Sequence, residues 1–195
     1  MDLTTVELKE LLSIKDWSGK QWDKPPSENI SDIKDKIRTQ LESVQTSCAY
    51  CGLKLKGTSR GQIEHIAPKA YYRYPQFTFT LLNLVLACGY CNGFDKKGTS
   101  DTIAVVEKLY KKCEFNIVHP YFHDPDDHYE WTDNTIEVLI QVKNGSAKGL
   151  KSIDLFELDT PKMNELRAQQ IRFEEVKSRF KLSQKDESLL KSILK

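Results

Sequence analysis

Two cysteine pairs carry the most specific chemistry in this sequence. Cys48 and Cys51 lie in CAYCG, and Cys88 and Cys91 lie in CGYCN. A C-x-x-C spacing lets two thiolates converge on one metal ion, and four thiolates satisfy tetrahedral zinc with no open position. We therefore predict one structural Zn²⁺ bound by all four. A redox C-x-x-C would need only one pair, and the fifth cysteine, Cys113, is expected to be a small buried hydrophobe.

A second group of residues has the chemistry to hydrolyse a phosphodiester. That reaction needs an activated water and a cation against the developing charge. With an ordinary pKa of ~6.5, His65 could accept the proton of this water at neutral pH. The carboxylate of Glu64 and the side-chain carbonyl of Asn92 are hard oxygen ligands suited to Mg²⁺ or Mn²⁺. Asn83 lies in the apolar run FTFTLLNLVLAC and must find hydrogen-bond partners if it is buried.

The order of these residues resembles that of the HNH, or ββα-metal, endonucleases. In the zinc-bearing branch of that family, a first C-x-x-C precedes an acid-His pair, an Asn-Leu, and a second C-x-x-C followed by His or Asn and a nearby Lys. Here these are CAYC, EHIAPK, NLVLAC and CGYCN. Glu64 stands where Asp is more common, and Asn92 stands where His is frequent. The resemblance implies that His65 is the general base, that Glu64 and Asn92 bind the catalytic ion, and that Asn83 ties the loop between two strands and orients His65.

Positive charge is concentrated in the cysteine-bearing segment. Residues 48–100 carry seven Lys or Arg against two acidic residues, a net charge of +5, whereas the whole chain has +1. A phosphate-binding surface needs such an excess, although a solvated loop can show it too. Lys69, Lys96 and Lys97 are the candidate contacts to substrate phosphate.

A looser resemblance extends over roughly residues 45–175. The stretches HPYFHDPDDHYEW and GLKSIDLFELDTPKMNELRAQQIR are similar to HNH proteins encoded beside SMC-like or ABC-like ATPases in Septu-type anti-phage systems and some retrons. This resemblance implies a nuclease, acting on DNA by default and on RNA as the alternative, that docks on an ATPase partner and is kept in check by it.

We predict an α+β fold in which a small ββα-metal core, stapled by the four-cysteine zinc site, is flanked by helices and a β-hairpin. Residues 1–47 are expected to be a helical segment, residues 48–112 the nuclease core, and residues 113–195 a loop, a hairpin and helices. In the first segment, ENISDIKDKIRTQLESVQTS has an apolar stripe at helical spacing. That stripe consists of Ile30, Ile33, Ile37, Leu41 and Val44.

In the core, GQIEHIA and FTFTLLNLVLAC are predicted to be strands. We expect the stretch CNGFDKKGTSDTIAVVEKLYKKC to begin a helix that is broken at Gly98 and resumes from about Ser100.

The C-terminal third is predicted to contain a strand, a turn and two helices. Asn144 and Gly145 form a hairpin signal. Thr160 and Pro161 are a good cap and first-turn pair for one helix, and Ser183 begins a last short helix. The alternating strand residues are Ile136, Val138, Ile140 and Val142. The apolar stripe of the first helix is Met163, Leu166, Phe173, Val176 and Phe180.

The loop HPYFHDPDDHYEW could be taken for a second metal site. We expect a structural role instead, because Asp side chains in such turns bond nearby backbone. The residues concerned are His119, His123, Asp124, Asp126, Asp127 and His128.

Composition places the chain among soluble globular proteins. It is 39% hydrophobic and 29% charged, and no stretch approaches the ~18 apolar residues of a membrane span. The stretch MDLTTVELKELL lacks the pattern of a signal peptide, so we expect a cytoplasmic protein.

Two alternatives to a nuclease stay open at this stage. One is a zinc-stabilised module that binds nucleic acid without catalysis, which would have no need of His65. The other is an interaction subunit that activates an ATPase and keeps a vestigial nuclease site. These are separated by whether His65→Ala abolishes function while the complex still assembles.

Overall fold

The computed structural model describes residues 2–56, 60–132 and 138–179, together with Ser188 and Ser192. Within these ranges helices combine with strands that pair in three two-stranded antiparallel sheets, so the α+β prediction is confirmed. The helices are α1 Thr5–Leu12, α2 Lys20–Asp23, α3 Glu28–Val44, α4 Ala147–Phe156 and α5 Pro161–Arg179. The strands are β1 Gln62–His65, β2 Leu84–Ala87, β3 Ile103–Val105, β4 Glu114–Phe115, β5 Tyr129–Trp131 and β6 Ile140–Val142.

Helix α3 forms where the apolar stripe predicted it. The Ser27 side chain caps its start by accepting from the amide of Ile30. Four of the five predicted stripe residues are buried, whereas Val44 at the end of the helix is exposed. The chain then turns onto β2, where the Gln45 side chain accepts from the Leu86 amide and donates to the Leu86 carbonyl.

Strands β1 and β2 form the sheet that carries the acid-His pair. Glu64 lies opposite Val85 and His65 opposite Leu84. The predicted strand GQIEHIA is confirmed, but the run FTFTLLNLVLAC is extended only over β2. The residues before β2 form short 3₁₀ turns, at Pro75–Phe77 and Leu81–Asn83.

The helix predicted after the second cysteine pair is wrong. Residues 89–99 form consecutive turns, and the chain then enters β3, which pairs with β4. The two glycines of NGFDKKG explain the turns: the Gly98 amide donates to the Gly93 carbonyl, 3.2 Å away. Gly98 has a φ of +41°, and a Cβ added there would lie 2.6 Å from the Phe94 carbonyl oxygen, so the chain curls where a helix would continue.

The hairpin prediction at Asn144-Gly145 is also wrong: the turn forms, but a helix follows it instead of a strand. Both residues have positive φ, as the turn chemistry requires. However, β6 pairs with the preceding strand β5, and the turn leads into α4, which Ser146 caps by accepting from the Gly149 amide.

Helix α5 begins at Pro161, as the cap and first-turn signals predict. Its stripe is buried only in the first turns, since Met163 is buried whereas Phe173 and Val176 are exposed. Ile136, Phe180 and the helix predicted from Ser183 lie outside the described residues. None of the helices in the described ranges is long and apolar enough to cross a membrane.

Candidate active site

The four paired cysteines converge, as predicted from their spacing. Their sulfur atoms all lie within 4.8 Å of one another, and the sulfurs of Cys51 and Cys88 are 3.9 Å apart. Four thiolates bound to a tetrahedral zinc at ~2.3 Å would be separated by roughly 3.8 Å. The donor set and its spacing therefore fit a structural zinc ion.

The electrostatics of this cluster also call for a cation. Hydrogen bonding to Cys48 lowers the pKa of the Cys88 thiol, whereas hydrogen bonding to Cys48 raises the pKa of Cys91. The thiols therefore compete, because each thiolate is stabilised only while its neighbours stay protonated. A divalent cation resolves this competition by stabilising all four thiolates at once.

The first cysteine knuckle anchors helix α5. The Gln170 side chain accepts from the Lys54 amide at 2.8 Å and donates to the Gly52 carbonyl at 3.3 Å. Glu174, one turn further along α5, pairs with the Lys54 ammonium. The loop on which α5 is docked is thus the loop that carries Cys48 and Cys51.

His65 lies at the end of β1 with a defined tautomer. Its Nε2 is 3.0 Å from the carbonyl oxygen of Thr78, and a carbonyl can only accept, so Nε2 carries the proton of the neutral ring and Nδ1 keeps a lone pair. Burial lowers the pKa of His65 to about 3, which keeps the ring neutral at pH 7. The Trp22 indole packs against the imidazole edge to face, with ring centroids 4.7 Å apart, and leaves His65 only 5% exposed.

Glu64 is buried beside a buried lysine. The Lys97 ammonium is 2.6 Å from Glu64 Oε1 and donates to the His65 carbonyl at 2.7 Å. Oε1 is therefore held by a close ion pair with Lys97. Burial raises the pKa of Glu64, and the Lys97 charge opposes that shift.

Asn83 is fully buried and uses all of its hydrogen-bonding capacity. Its amide nitrogen donates to the carbonyls of Ala67 and Phe77, at 3.1 and 3.0 Å. Its oxygen accepts from the Ala67 amide at 2.6 Å and from the Tyr110 hydroxyl at 2.9 Å. Asn83 therefore ties the start of the β1–β2 loop to the turn that presents Thr78 to His65.

Each of three consecutive backbone carbonyls at the end of β1 accepts a hydrogen bond from a side chain. The carbonyls of residues 65–67 accept in turn from Lys97, Thr102 and Asn83. Because three buried side chains from separate parts of the chain bond three consecutive carbonyls, the position of the acid-His pair is rigidly defined.

Asn92 lies at the mouth of this region and is half-buried. Its amide nitrogen donates to Gln62 Oε1 at 2.8 Å, and its oxygen has no hydrogen-bond partner within the described ranges. Gln62 and Glu64 are two residues apart on β1 and share one face of the strand. The Glu64 carboxylate, which is now paired with Lys97, and the Asn92 amide oxygen are oxygen ligands of the kind that Mg²⁺ or Mn²⁺ prefers.

The three lysines predicted to contact phosphate are all ion-paired. Lys69 pairs with Asp23 at 2.7 Å, and Lys96 pairs with Glu157 at 2.5 Å. Lys97 is 1% exposed and contacts the proposed metal ligand instead of the surface.

Side chains of the histidine-rich loop make hydrogen bonds within the protein. His119 is fully buried; its Nε2 is 3.0 Å from the Tyr110 hydroxyl, and its Nδ1 accepts from the Tyr121 amide. This ring therefore extends the hydrogen-bond chain that ends on Asn83. Within the described part of the chain, only the four paired cysteines bring three or more Cys, His, Asp or Glu ligand atoms together.

With this geometry in place, the chain can be compared with known proteins. Residues 48–98 match the HNH endonuclease family. The HNH segment thus includes both cysteine pairs, the acid-His pair and both asparagines. The chain is also similar to the Septu protein PtuB of Bacillus mycoides (strain KBAB4), with 28% identity over 185 residues. That alignment covers 86% of this chain and 61% of the relative. The resemblance of residues 48–98 to HNH endonucleases and the similarity to a Septu protein are confirmed.

Three residues that support the HNH segment could not be identified from the sequence motifs. Trp22 covers His65, Thr102 holds the Ile66 carbonyl, and Tyr110 bonds Asn83. Each comes from outside the β1–β2 hairpin, and its side chain type is common, so neither motif nor spacing marks it.

The two asparagines are expected to differ sharply in their effect on stability. Asn83→Ala leaves the amide and the carbonyl of Ala67 buried and unpaired, which we expect to lower the free energy of unfolding by about 3 kcal/mol. Asn92→Ala removes one hydrogen bond at a half-buried site and should cost under about 1 kcal/mol. Urea denaturation followed by circular dichroism measures both, with Tyr110→Phe expected in between. Equal losses for the two alanine variants would contradict the role assigned to Asn83.

Proposed function

We propose that this protein is a metal-dependent endonuclease that hydrolyses phosphodiester bonds of nucleic acid. The observation that carries the proposal is the tautomer of His65. Its Nε2 is fixed on the Thr78 carbonyl, so its basic lone pair is on Nδ1, next in sequence to a buried carboxylate. This pairing of base and metal ligand is what hydrolysis by an activated water requires.

In the proposed mechanism, His65 Nδ1 accepts the proton of the attacking water after Trp22 has moved, because the burial that lowers the pKa of His65 to about 3 makes the covered ring a weak base. The Thr78 carbonyl orients the ring and stabilises the imidazolium that forms, because it already accepts from Nε2. Glu64 Oε1 and Asn92 Oδ1 would hold a Mg²⁺ or Mn²⁺ ion, which supplies charge stabilisation at the scissile phosphate. Asn83 keeps the loop in place and does not contact the ion.

We further propose that the nuclease acts in defence against phages, in the cytoplasm, together with an ATPase partner. Similarity to a Septu protein supports this role, as does the likeness of the C-terminal stretches to HNH proteins encoded beside SMC-like or ABC-like ATPases. DNA is the proposed substrate and RNA the alternative, since both present the same phosphodiester.

One observation favours a second candidate, a non-catalytic zinc-dependent module that binds nucleic acid or an ATPase. His65 is covered by Trp22, and Lys69, Lys96 and Lys97 are all occupied by carboxylates. A nuclease with this site must move Trp22 before water and phosphate reach the imidazole, whereas a binding module has no such requirement.

Cleavage assays on plasmid DNA and a mixed RNA pool separate these candidates. The zinc-loaded protein is incubated with each substrate in Mg²⁺, in Mn²⁺ or in excess EDTA, with and without a co-expressed ATPase from the same locus. We expect nicking of plasmid DNA that requires the added cation. Cleavage of RNA alone would change the substrate and keep the mechanism. Binding to either nucleic acid without cleavage in any mixture would establish the module instead.

A further inference from the structure

Lys97 is the one buried lysine within the described ranges. Its ammonium is bonded to the His65 carbonyl at 2.7 Å, lies 2.6 Å from Glu64 Oε1 and is 3.5 Å from the Gly98 carbonyl. A buried ammonium is retained in a protein only when its partners replace the water that it has lost. Glu64 is the only one of these three partners that carries a charge.

The same carboxylate is the proposed ligand of the catalytic cation. A divalent ion bound to Glu64 Oε1 at ~2.1 Å would lie within about 5 Å of the ammonium if Lys97 kept its place. Like charges that close in a partly buried site repel by several kcal/mol, on the order of the whole affinity of such an ion. The ammonium and the cation therefore exclude each other at Glu64.

We propose that Lys97 is an internal counter-ion that occupies the cation site until a divalent ion displaces it from Glu64. It acts as a positioning residue, because it holds the carboxylate and the His65 carbonyl in register before the ion binds. The proposal rests on the assignment of Glu64 as a metal ligand in the proposed function. As a consequence, a higher concentration of divalent ion is needed for binding, because the ion must displace the Lys97 ammonium from Glu64.

The local backbone around Lys97 is compatible with such a displacement. Lys97 precedes Gly98, whose φ is +41°, in a chain segment of turns, with no helix or strand to hold the side chain in one direction. The residue before it, Lys96, is held at the surface by its ion pair with Glu157. The backbone can thus keep its path while the Lys97 side chain leaves the carboxylate.

The first test uses the wild-type, zinc-loaded protein and an amine-reactive ester, with modification read by peptide mass spectrometry during a titration with Mn²⁺. Modification of Lys97 should be low without Mn²⁺ and rise at least several-fold at saturation. Modification of Lys96, the matched control, should stay constant. In Glu64→Gln, Lys97 should be modified readily at every Mn²⁺ concentration. If Mn²⁺ binds and Lys97 stays protected, the proposal is overturned.

The second test measures Mn²⁺ affinity directly, from the electron paramagnetic resonance signal of the free ion. Lys97→Met should bind Mn²⁺ at least about tenfold more tightly than the wild type, because a competing charge has been removed. Lys112→Met, at an exposed lysine outside this region, should leave the affinity unchanged. Glu64→Gln/Lys97→Met should lose the site while keeping the buried region neutral.

The outcomes distinguish this inference from the proposed function. If Lys97→Met binds Mn²⁺ more tightly but the wild-type protein cleaves no nucleic acid, the proposed function is overturned and the displacement of Lys97 still stands. Cation-dependent cleavage with unchanged or weaker Mn²⁺ binding in Lys97→Met would overturn the displacement alone.

Discussion

Replacing His65 with Gln is expected to lower the rate of phosphodiester cleavage by about 10³-fold while leaving the fold intact, since a positioned general base typically contributes 10²–10⁴-fold. The glutamine amide nitrogen can still donate to the Thr78 carbonyl, as His65 Nε2 does now. The variant therefore keeps the structural hydrogen bond and loses only the lone pair on Nδ1. Initial rates of plasmid nicking at saturating Mg²⁺ measure the effect.

The matched control for this prediction is His128→Gln. His128 bonds the Ser146 hydroxyl at 2.6 Å and belongs to the structural loop, so its variant should cleave at the wild-type rate. Melting curves and zinc content should be the same for both variants and the wild type. A His65→Gln protein that nicks DNA as fast as the His128 variant would show that His65 is not the base.

Loss of one cysteine from the metal cluster is expected to unfold the core. A structural zinc contributes about 10–16 kcal/mol in apparent binding free energy, which equals or exceeds the total stability of about 5–15 kcal/mol for a typical domain. Cys91 is fully buried in the cluster, so Cys91→Ser should lose the bound zinc and the cooperative thermal transition. Elemental analysis and circular dichroism melts measure the two effects.

Cys113→Ser provides the control, because Cys113 is equally buried but lies outside the cluster. It should retain one zinc per chain and lose no more than about 1–2 kcal/mol of stability. Hydrogen exchange adds a spatial readout: removing zinc should expose the amide of Lys54, which Gln170 of α5 now protects. A Cys91→Ser protein with full zinc content and an unchanged melt would contradict a four-cysteine site.

The sequence was sufficient where chemistry restricts the choice of residue. Two C-x-x-C pairs predicted a thiolate cluster because few other functions need four cysteines at that spacing. The helix over α3 followed from one periodic stripe with a good cap, and both features act within a few residues of the chain.

The sequence was insufficient where the outcome depends on distant partners. Lys97 has the pattern of a phosphate contact, yet it points inward because Glu64, far earlier in the chain, needs a counter-ion. The segment after Cys91 was predicted to be a helix from its composition, but two glycines and the pairing of β3 with β4 decided against it. Tertiary contacts of this kind override local propensity.

The contact between Trp22 and His65 gives the protein an intrinsic optical reporter. Indole emission shifts to longer wavelength when water replaces an apolar environment, and Trp22 is now 6% exposed. Any motion that admits solvent to the imidazole must move this indole, so it must also shift the emission. Trp131 on β5 is already half-exposed and supplies a nearly constant background. Trp17 packs on Phe79, as Trp22 does, and a Trp17→Phe variant removes its contribution. Access to the base can therefore be followed in real time without a label attached to the protein.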